Sequence, residues 1–295
     1  MIASGATEAA EADAARGAAL KAVADGAPQD WAAALEHLRR AAGLGSQLAL
    51  AELAALSGNW DAAQRLLAGE RLPSSSADPL SAPIDLASWL APPHCTIISD
   101  APRIVVVADM AGAEVCDWVI ARARGRLAPA ATLDRASGED YIVSGERTNT
   151  VCDFRGAQAD LILATLRARM AALTGTRLAG FESLHVLHYG VGEQFRPHLD
   201  ATLDSGAPDY PAQYAAGNQR VLTFLLALND DFDGGETEFP LIGLRWKARR
   251  GRGLYFWNVD PDGAIDRRTF HAGRPVKRGE KWTLSQWVAG RRPQD

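Results

Sequence analysis

A strand-like stretch in the second half of the chain ends with His198 and Asp200, which are two residues apart. In an extended strand the side chains at positions i and i+2 point to the same side, so this imidazole and this carboxylate can bind one metal ion together. A third ligand from a distant strand would complete one face of an octahedron and leave the opposite face open. Taken alone, the pair also fits a turn in which the aspartate accepts a hydrogen bond.

Further strand-like segments follow this pair. Residues 220–229 are typical of a buried strand, residues 234–240 of a tight turn into another strand, and residues 253–258 of a third strand. Two amphipathic helices are predicted earlier in the chain, at residues 113–127 and 159–173. Helices that precede a run of strands predict an α+β fold, in which a sheet sandwich is buttressed by helices.

Five motifs in this part of the chain resemble those of a known family. They are Tyr189, His198-x-Asp200, Gly234-Gly-Glu-Thr-x-Phe-Pro240, His271-x-Gly-x-Pro-Val276 and Gly279-x-Lys281-Trp282. In this order and spacing they resemble the prolyl 4-hydroxylase branch of the Fe(II)/2-oxoglutarate oxygenases, over about residues 103 to 290. The resemblance implies a double-stranded β-helix, or jelly-roll, as the core of the fold.

The same resemblance implies a metal site. His198, Asp200 and His271 would hold Fe(II), with 2-oxoglutarate and O2 as cosubstrates and ascorbate as a candidate reductant. Two histidines and one carboxylate are the ligand set of many non-haem Fe(II) oxygenases, because they leave coordination positions open. These three side chains are therefore the expected catalytic and metal-binding residues.

Cosubstrate binding is expected to depend on Lys281. This lysine lies ten residues after His271, as does the family's lysine that binds the distal carboxylate of 2-oxoglutarate. A buried ammonium group needs an anionic partner, which agrees with that role. The hydroxyl groups of Tyr189 and Thr223 are expected to assist.

Substrate contacts are expected in a polar region before the metal-binding strand. An arginine in the corresponding region of the family meets the substrate, so Arg147 is the candidate here, and Tyr141 is a second candidate at the same entrance. An arginine at the start of a strand is also commonly a surface residue. Residues 201–219 form a long connection after Asp200, which we interpret as a substrate lid, because long loops in compact domains are commonly lids or disordered.

His185 is a third histidine near the metal-binding motifs. Strand alternation places it on the same side as Tyr189, where the family carries a different polar residue. A single histidine on a strand is more commonly a hydrogen-bonded core residue than a metal ligand. We therefore keep His198 and His271 as the ligands.

The chain is expected to have three parts. Residues 1–71 form an α-helical, repeat-like segment, residues 72–102 a linker rich in proline and serine, and residues 103–290 the oxygenase domain. Two similar stretches, beginning near Trp31 and Trp60, are 29 residues apart and resemble a degenerate tetratricopeptide or Sel1-type helical hairpin. This segment is interpreted either as a docking surface for a protein substrate or as an alanine-rich cap.

Composition limits the compartment and the partners. A net charge of −5 and a pI near 5.7 argue against a nucleic-acid partner bound through bulk electrostatics. No apolar run is long enough to span a bilayer, and the N-terminus does not have the pattern of a secretory signal. The three cysteines form no even framework, which predicts reduced thiols in a cytoplasmic protein.

The expected function is hydroxylation of a C–H bond by a 2-oxoglutarate-dependent dioxygenase, at C4 of a prolyl residue in a protein or peptide. The same chemistry on another side chain or on a free amino acid is an alternative, because the sequence does not identify the substrate. A non-catalytic metal-binding interaction module is a second alternative. A zinc hydrolase is a third, and it is disfavoured because no general base is evident beside the three ligands.

Overall fold

The computed structural model describes residues 2–24, 28–72, 79–131, 145–201, 219–247 and 249–293. The chain divides into two compact units. The first, here called the helical unit, comprises residues 1–92 and 155–173. The second, here called the sheet unit, comprises residues 93–154 and 174–295.

The α-helices of the described residues occur in both units. They are α1 (Ile2–Ala22), α2 (Trp31–Gly43), α3 (Gln47–Leu56), α4 (Trp60–Leu67), α5 (Leu86–Leu90), α6 (Ala113–Arg124) and α7 (Leu161–Thr174). In the helical unit α1 packs against α2, and α3 packs against α4. Asp30, Ser46 and Asn59 cap α2, α3 and α4 by accepting a hydrogen bond from a backbone N–H in the first turn. None of the helices in the described ranges combines the length and apolar character needed to cross a bilayer.

Helix α7 belongs to the helical unit through a buried ion pair. Arg16 Nε lies 3.0 Å from Glu52 Oε1, and the other oxygen of Glu52 accepts a hydrogen bond of 2.9 Å from the N–H of Leu161. Arg16 also donates to the carbonyl of Ala159 at 2.8 Å. The sequence predicts this helix within the oxygenase domain, at residues 103–290. The structure places it with the N-terminal helices, because two distant charged side chains bind the backbone at its start.

Antiparallel strands build the sheet unit. They are β1 (Cys95–Asp100), β2 (Arg103–Val107), β3 (Ala128–Pro129), β4 (Thr150–Phe154), β5 (Leu184–Tyr189), β6 (Phe195–His198), β7 (Arg220–Ala227), β8 (Asp233–Gly234), β9 (Thr237–Phe239), β10 (Leu244–Trp246), β11 (Gly253–Trp257), β12 (His271–Gly273), β13 (Val276–Arg278) and β14 (Lys281–Ala289). The major sheet has the order β1-β2-β11-β7-β14-β5-β4-β3, the minor sheet has the order β10-β9-β12-β6, and β13 pairs with β8.

The two larger sheets share a hydrophobic core. Phe239 and Trp246 of the minor sheet form one buried cluster with Ile104, Leu225 and Phe256 of the major sheet. Helix α6 contacts β5 of the major sheet. The expected α+β jelly-roll core with a buttressing helix is confirmed, and the strands expected at residues 220–229 and 253–258 are β7 and β11.

Candidate active site

Three side chains with metal-binding atoms meet on the minor sheet. His198 ends β6 and His271 begins β12, and the two residues are direct partners in the antiparallel pairing of these strands. Asp200 follows β6 by two residues. One potential ligand atom from each residue lies within 4.8 Å of the others. Asp200 Oδ1 is 3.4 Å from His198 Nε2, and Asp200 Oδ2 is 3.6 Å from His271 Nε2.

Backbone carbonyls fix the orientation of both imidazoles. His198 Nδ1 lies 2.7 Å from the carbonyl oxygen of Arg196, and His271 Nδ1 lies 2.9 Å from that of Thr269. A carbonyl oxygen only accepts, so each Nδ1 carries a proton, and in the neutral ring Nε2 then presents its lone pair toward Asp200. Metal-binding histidines are commonly oriented in this way, by a hydrogen bond from the ring nitrogen that does not bind the metal.

The charge states of these groups also suit a cation. Burial lowers the pKa of His271 to about 4, and the neighbouring His198 lowers it further while Asp200 opposes the shift. Burial by itself would raise the pKa of Asp200, but His271, His198 and the Thr223 hydroxyl together hold it below its usual range. His271 is thus presented as a neutral imidazole and Asp200 as a carboxylate, and together with the imidazole of His198 they form a donor set that fits Fe(II).

Thr223 contacts Asp200. Its hydroxyl donates a hydrogen bond of 2.7 Å to Asp200 Oδ2, and the side-chain amide of Asn258 donates to Thr223 Oγ1 at 3.0 Å. Thr223 does not line the cleft described below. The expected contact between Thr223 and 2-oxoglutarate stays a prediction, and the hydrogen bonds give this residue a separate role beside the carboxylate.

A cleft opens from the three residues toward the major sheet and contains about 450 Å³ of empty space, part of it open to solvent. Its polar lining includes His198, Asp200, His271, Lys281, Thr283, Ser285, Arg147 and Tyr189, and its apolar lining includes Leu187, Phe195, Leu225 and Trp287. The alternation of β14 predicts that Lys281, Thr283, Ser285 and Trp287 share one side, and all four line the cleft.

Lys281 is buried at the wall of this cleft, with 5% of its surface exposed. Its Nζ donates to the carbonyl of Gly235 at 2.7 Å and lies 5.1 Å from the centre of the Tyr189 ring. Burial lowers the pKa of Lys281 to about 8, and Glu236 opposes the shift. Among the described residues, no acidic side chain forms an ion pair with this ammonium group.

Arg147 lines the same cleft and is also buried. Its Nε donates to Asn149 Oδ1 at 3.1 Å, and its guanidinium carbon lies 4.8 Å from the centre of the Phe195 ring. Burial lowers the pKa of Arg147, while Tyr189 and Asp200 oppose the shift. The structure therefore places Arg147 beside the metal-binding residues. Tyr141 and residues 202–218 of the expected lid lie outside the described residues.

His185 lies away from the three ligands. Its Nε2 is 3.8 Å from Asp153 Oδ1, and its ring centre is 5.1 Å from that of Trp287. Burial lowers the pKa of His185 to about 4, and Asp153 opposes the shift. His185 is not part of the cluster of potential metal ligands found in the described ranges, which agrees with its interpretation as a core residue.

Three contributors to the site were not identified from the sequence. Phe195 stacks on His198 with ring centres 3.5 Å apart, Gly235 supplies the carbonyl that binds Lys281, and Asn258 binds Thr223. Asn258 had a signal in the sequence, because a polar residue at the end of an otherwise apolar buried strand needs a partner. Gly235 lies in one of the five motifs, but the motif did not indicate the role of its carbonyl.

Comparison with known proteins agrees with the family resemblance of the sequence motifs. Residues 184–289 match the model of the 2OG-Fe(II) oxygenase superfamily. The chain is 31% identical over 209 residues to "Probable prolyl 4-hydroxylase 9" of Arabidopsis thaliana, covering 65% of this chain and 70% of the relative. It is 30% identical over 206 residues to "Prolyl 4-hydroxylase 1" of the same organism, covering 65% and 70%.

A solved structure shows the same fold. The 2OG complex of the viral collagen prolyl hydroxylase from Paramecium Bursaria Chlorella virus-1 superposes with a TM-score of 0.51 at 23% identity. The match covers 65% of this chain and 99% of the viral chain. The ligand geometry, the family match and these relatives lead to one conclusion: the chain belongs to the prolyl 4-hydroxylase family of 2OG-Fe(II) oxygenases.

Proposed function

We propose that this dioxygenase hydroxylates C4 of a prolyl residue in a protein or peptide, using Fe(II), 2-oxoglutarate and O2. The observation that carries the proposal is the position of Lys281, a buried cation without an acidic partner among the described residues, on the wall of the cleft that holds His198, Asp200 and His271. The relatives are named as prolyl 4-hydroxylases, which favours a prolyl substrate.

The three ligands would hold Fe(II) through His198 Nε2, His271 Nε2 and one oxygen of Asp200. When bound together, Fe(II), 2-oxoglutarate and O2 supply an oxidation that inserts one oxygen atom into a substrate C–H bond and converts 2-oxoglutarate into succinate and CO2. Ascorbate is proposed as a reductant that maintains the ferrous state. The residues of the chain bind and orient the reactants and keep water away from them.

Lys281 would bind the distal carboxylate of 2-oxoglutarate. Its ammonium group has three donors, and the carbonyl of Gly235 uses one of them. The remaining donors can bind a carboxylate in a site where few waters compete for it. Tyr189, whose ring lies beside the ammonium group, can add its hydroxyl as a donor because burial raises its pKa to about 12 and keeps it protonated.

Arg147 and Trp287 would bind the substrate. Among the described residues the guanidinium of Arg147 has no acidic partner, so its terminal nitrogens can donate to a peptide carbonyl oxygen. The aromatic ring of Trp287 lines the same cleft, with its Nε1 buried and the guanidinium carbon of Arg220 4.0 Å from its centre. An aromatic ring beside a guanidinium that can donate to a peptide carbonyl oxygen suits a prolyl residue within a peptide chain.

The proposal is tested by turnover with peptides. The full chain is incubated with Fe(II), 2-oxoglutarate and O2 and with proline-containing peptides, and each peptide is compared with a matched peptide in which proline is replaced by alanine. We expect succinate and a mass gain of one oxygen atom on the prolyl peptide only. Oxygen added to another side chain or to a free amino acid would redirect the substrate assignment, and metal binding without any turnover would favour a non-catalytic interaction module.

The helical unit is proposed to be a tetratricopeptide- or Sel1-like docking surface for a protein substrate in the cytoplasm. The capped helices α2 and α4, which begin at similar sequence stretches, support this interpretation. Charge reversal at the exposed Glu36 and Arg40 of α2 should raise KM for a protein substrate but leave KM for a short prolyl peptide unchanged. An unchanged KM for both would favour the alanine-rich cap.

A further inference from the structure

A chain of buried hydrogen bonds leads from the major sheet to the metal-binding carboxylate. The side-chain amide of Asn258 donates to Thr223, and Thr223 donates to Asp200. We propose that Asn258, acting through Thr223, is a positioning residue that fixes the carboxylate of Asp200 for metal binding. The inference rests on metal binding by the three ligands and does not depend on the substrate.

The chemistry of the groups sets the direction of this chain. An ionised carboxylate only accepts hydrogen bonds, so the single hydroxyl proton of Thr223 must point to Asp200 Oδ2, at 2.7 Å. The Thr223 oxygen can then only accept, so Asn258 must present its NH2 group, at 3.0 Å. Asn258 is 0% and Thr223 is 1% exposed, so water does not compete for either bond.

The backbone of the major sheet fixes the two donors of this chain, Asn258 and Thr223. Asn258 follows β11, its N–H donates to the carbonyl of Val221 at 2.8 Å, and its own carbonyl accepts from the N–H of Asp266 at 2.9 Å. Thr223 lies within β7, where it is paired with Phe256 of β11. Both polar side chains are thus positioned by the ladder of the major sheet.

Within the described ranges, Asp200 has no such support of its own. It lies two residues beyond the end of β6, so no strand ladder fixes its backbone. The bond from Thr223 uses one lone pair of Oδ2, which is 3.6 Å from His271 Nε2, and it turns Oδ1 to within 3.4 Å of His198 Nε2. The major sheet therefore sets the orientation of a ligand that belongs to the opposite side of the sandwich. Partners of this kind commonly change metal affinity by about 10- to 100-fold when removed.

The test measures Co(II) affinity of the full chain by visible absorption, in the absence of 2-oxoglutarate and substrate. Thr223→Val removes the hydroxyl at constant shape and should weaken Co(II) binding about tenfold or more, whereas Thr223→Ser should bind as the unsubstituted chain does. Asn258→Leu should weaken binding in the same direction. The spectrum of bound Co(II) should also change in Thr223→Val, because the carboxylate is free to reorient.

A control separates this role from general stability. Thr176→Val removes a buried hydroxyl that pairs with Thr174 at 2.7 Å and does not line the cleft. Both threonine-to-valine variants should lower the melting temperature of the metal-free chain, but only Thr223→Val should weaken Co(II) binding. In a double-mutant cycle, Asn258→Leu should add little in a chain that already carries Thr223→Val, because the effect passes through the hydroxyl.

Two results would overturn the inference. One is Co(II) affinity in Asn258→Leu equal to that of the unsubstituted chain, and the other is an Asn258→Leu effect of undiminished size in the Thr223→Val background. Failure of the proposed function is a different result, since a chain that binds Co(II) and 2-oxoglutarate but hydroxylates no prolyl peptide would leave the hydrogen-bond chain in place.

Discussion

Lys281 is the single residue that we propose provides the specificity for a dicarboxylate. An isolated buried ammonium group is costly, and burial accordingly lowers its pKa to about 8. The sequence identified this lysine from its place in a motif and from the alternation of β14. It did not reveal the Gly235 carbonyl that holds the side chain in place, because that contact joins residues 46 positions apart.

Replacement of Lys281 should affect 2-oxoglutarate more than the metal. Lys281→Met keeps most of the apolar stem but removes the charge, so KM for 2-oxoglutarate should rise about 100-fold, as expected for loss of a charge-assisted contact of about 3 kcal/mol. Co(II) affinity should stay within about twofold. Steady-state kinetics and a Co(II) titration measure the two effects. An unchanged KM would mean that another cation binds the distal carboxylate of 2-oxoglutarate.

The lowered pKa of Lys281 predicts a pH dependence of cosubstrate binding. Only the protonated lysine attracts a carboxylate, and its pKa is about 8 before the cosubstrate binds. The affinity for 2-oxoglutarate should therefore be constant well below pH 8 and fall as the pH rises through about 8. Equilibrium binding to the full chain, with Lys281→Arg as the control that remains charged, tests this prediction. A constant affinity across that range would show that Lys281 is not the anchor.

His198 and His185 should differ in their importance for succinate production. His198→Ala removes a ligand and should abolish succinate production. His185→Ala should leave most of the succinate production, because His185 contacts Asp153 and Trp287 and is not one of the three ligands. Succinate release is the measurement, and an equal loss in both variants would mean that the ligands are misassigned.

At the scale of secondary-structure elements, alternation predicted which side chains of β14 line the cleft, because side-chain direction in a strand has a period of two residues. The contact between Thr223 and Asp200 could not be predicted in this way. It depends on how the two sheets face each other, which no local pattern encodes. Helix α7 is a second example, since its N-terminal residues are bound by Arg16 and Glu52 from far along the chain.

The ion pair that holds α7 should be important for stability. Glu52→Ala leaves the buried guanidinium of Arg16 unpaired and the N–H of Leu161 without its acceptor, so the free energy of unfolding should fall by about 3 kcal/mol or more. Asp61→Ala, at an exposed helical pair with Arg65, is the matched control and should leave the free energy of unfolding nearly unchanged. Chemical denaturation measures both, and similar small losses would contradict a structural role for Glu52.

At the scale of the whole molecule, the fold brings one imidazole from each of two paired strands, one carboxylate from a connecting segment and one cation from the other sheet around a single cleft. Motif order along the chain was enough to predict this architecture and its ligands. The compact units could not be read from composition, because residues 155–173 join the helical unit from the middle of the sheet unit's sequence.

We infer that His198, Asp200 and His271 hold one Fe(II) that 2-oxoglutarate also binds. Anaerobic titration of the full chain with Fe(II) and 2-oxoglutarate tests this inference. The unsubstituted chain should develop the weak visible charge-transfer band of the chelate and saturate at one Fe(II) per chain, and His271→Ala should develop none. Absence of the band in the unsubstituted chain, or an equal band in His271→Ala, would contradict the account.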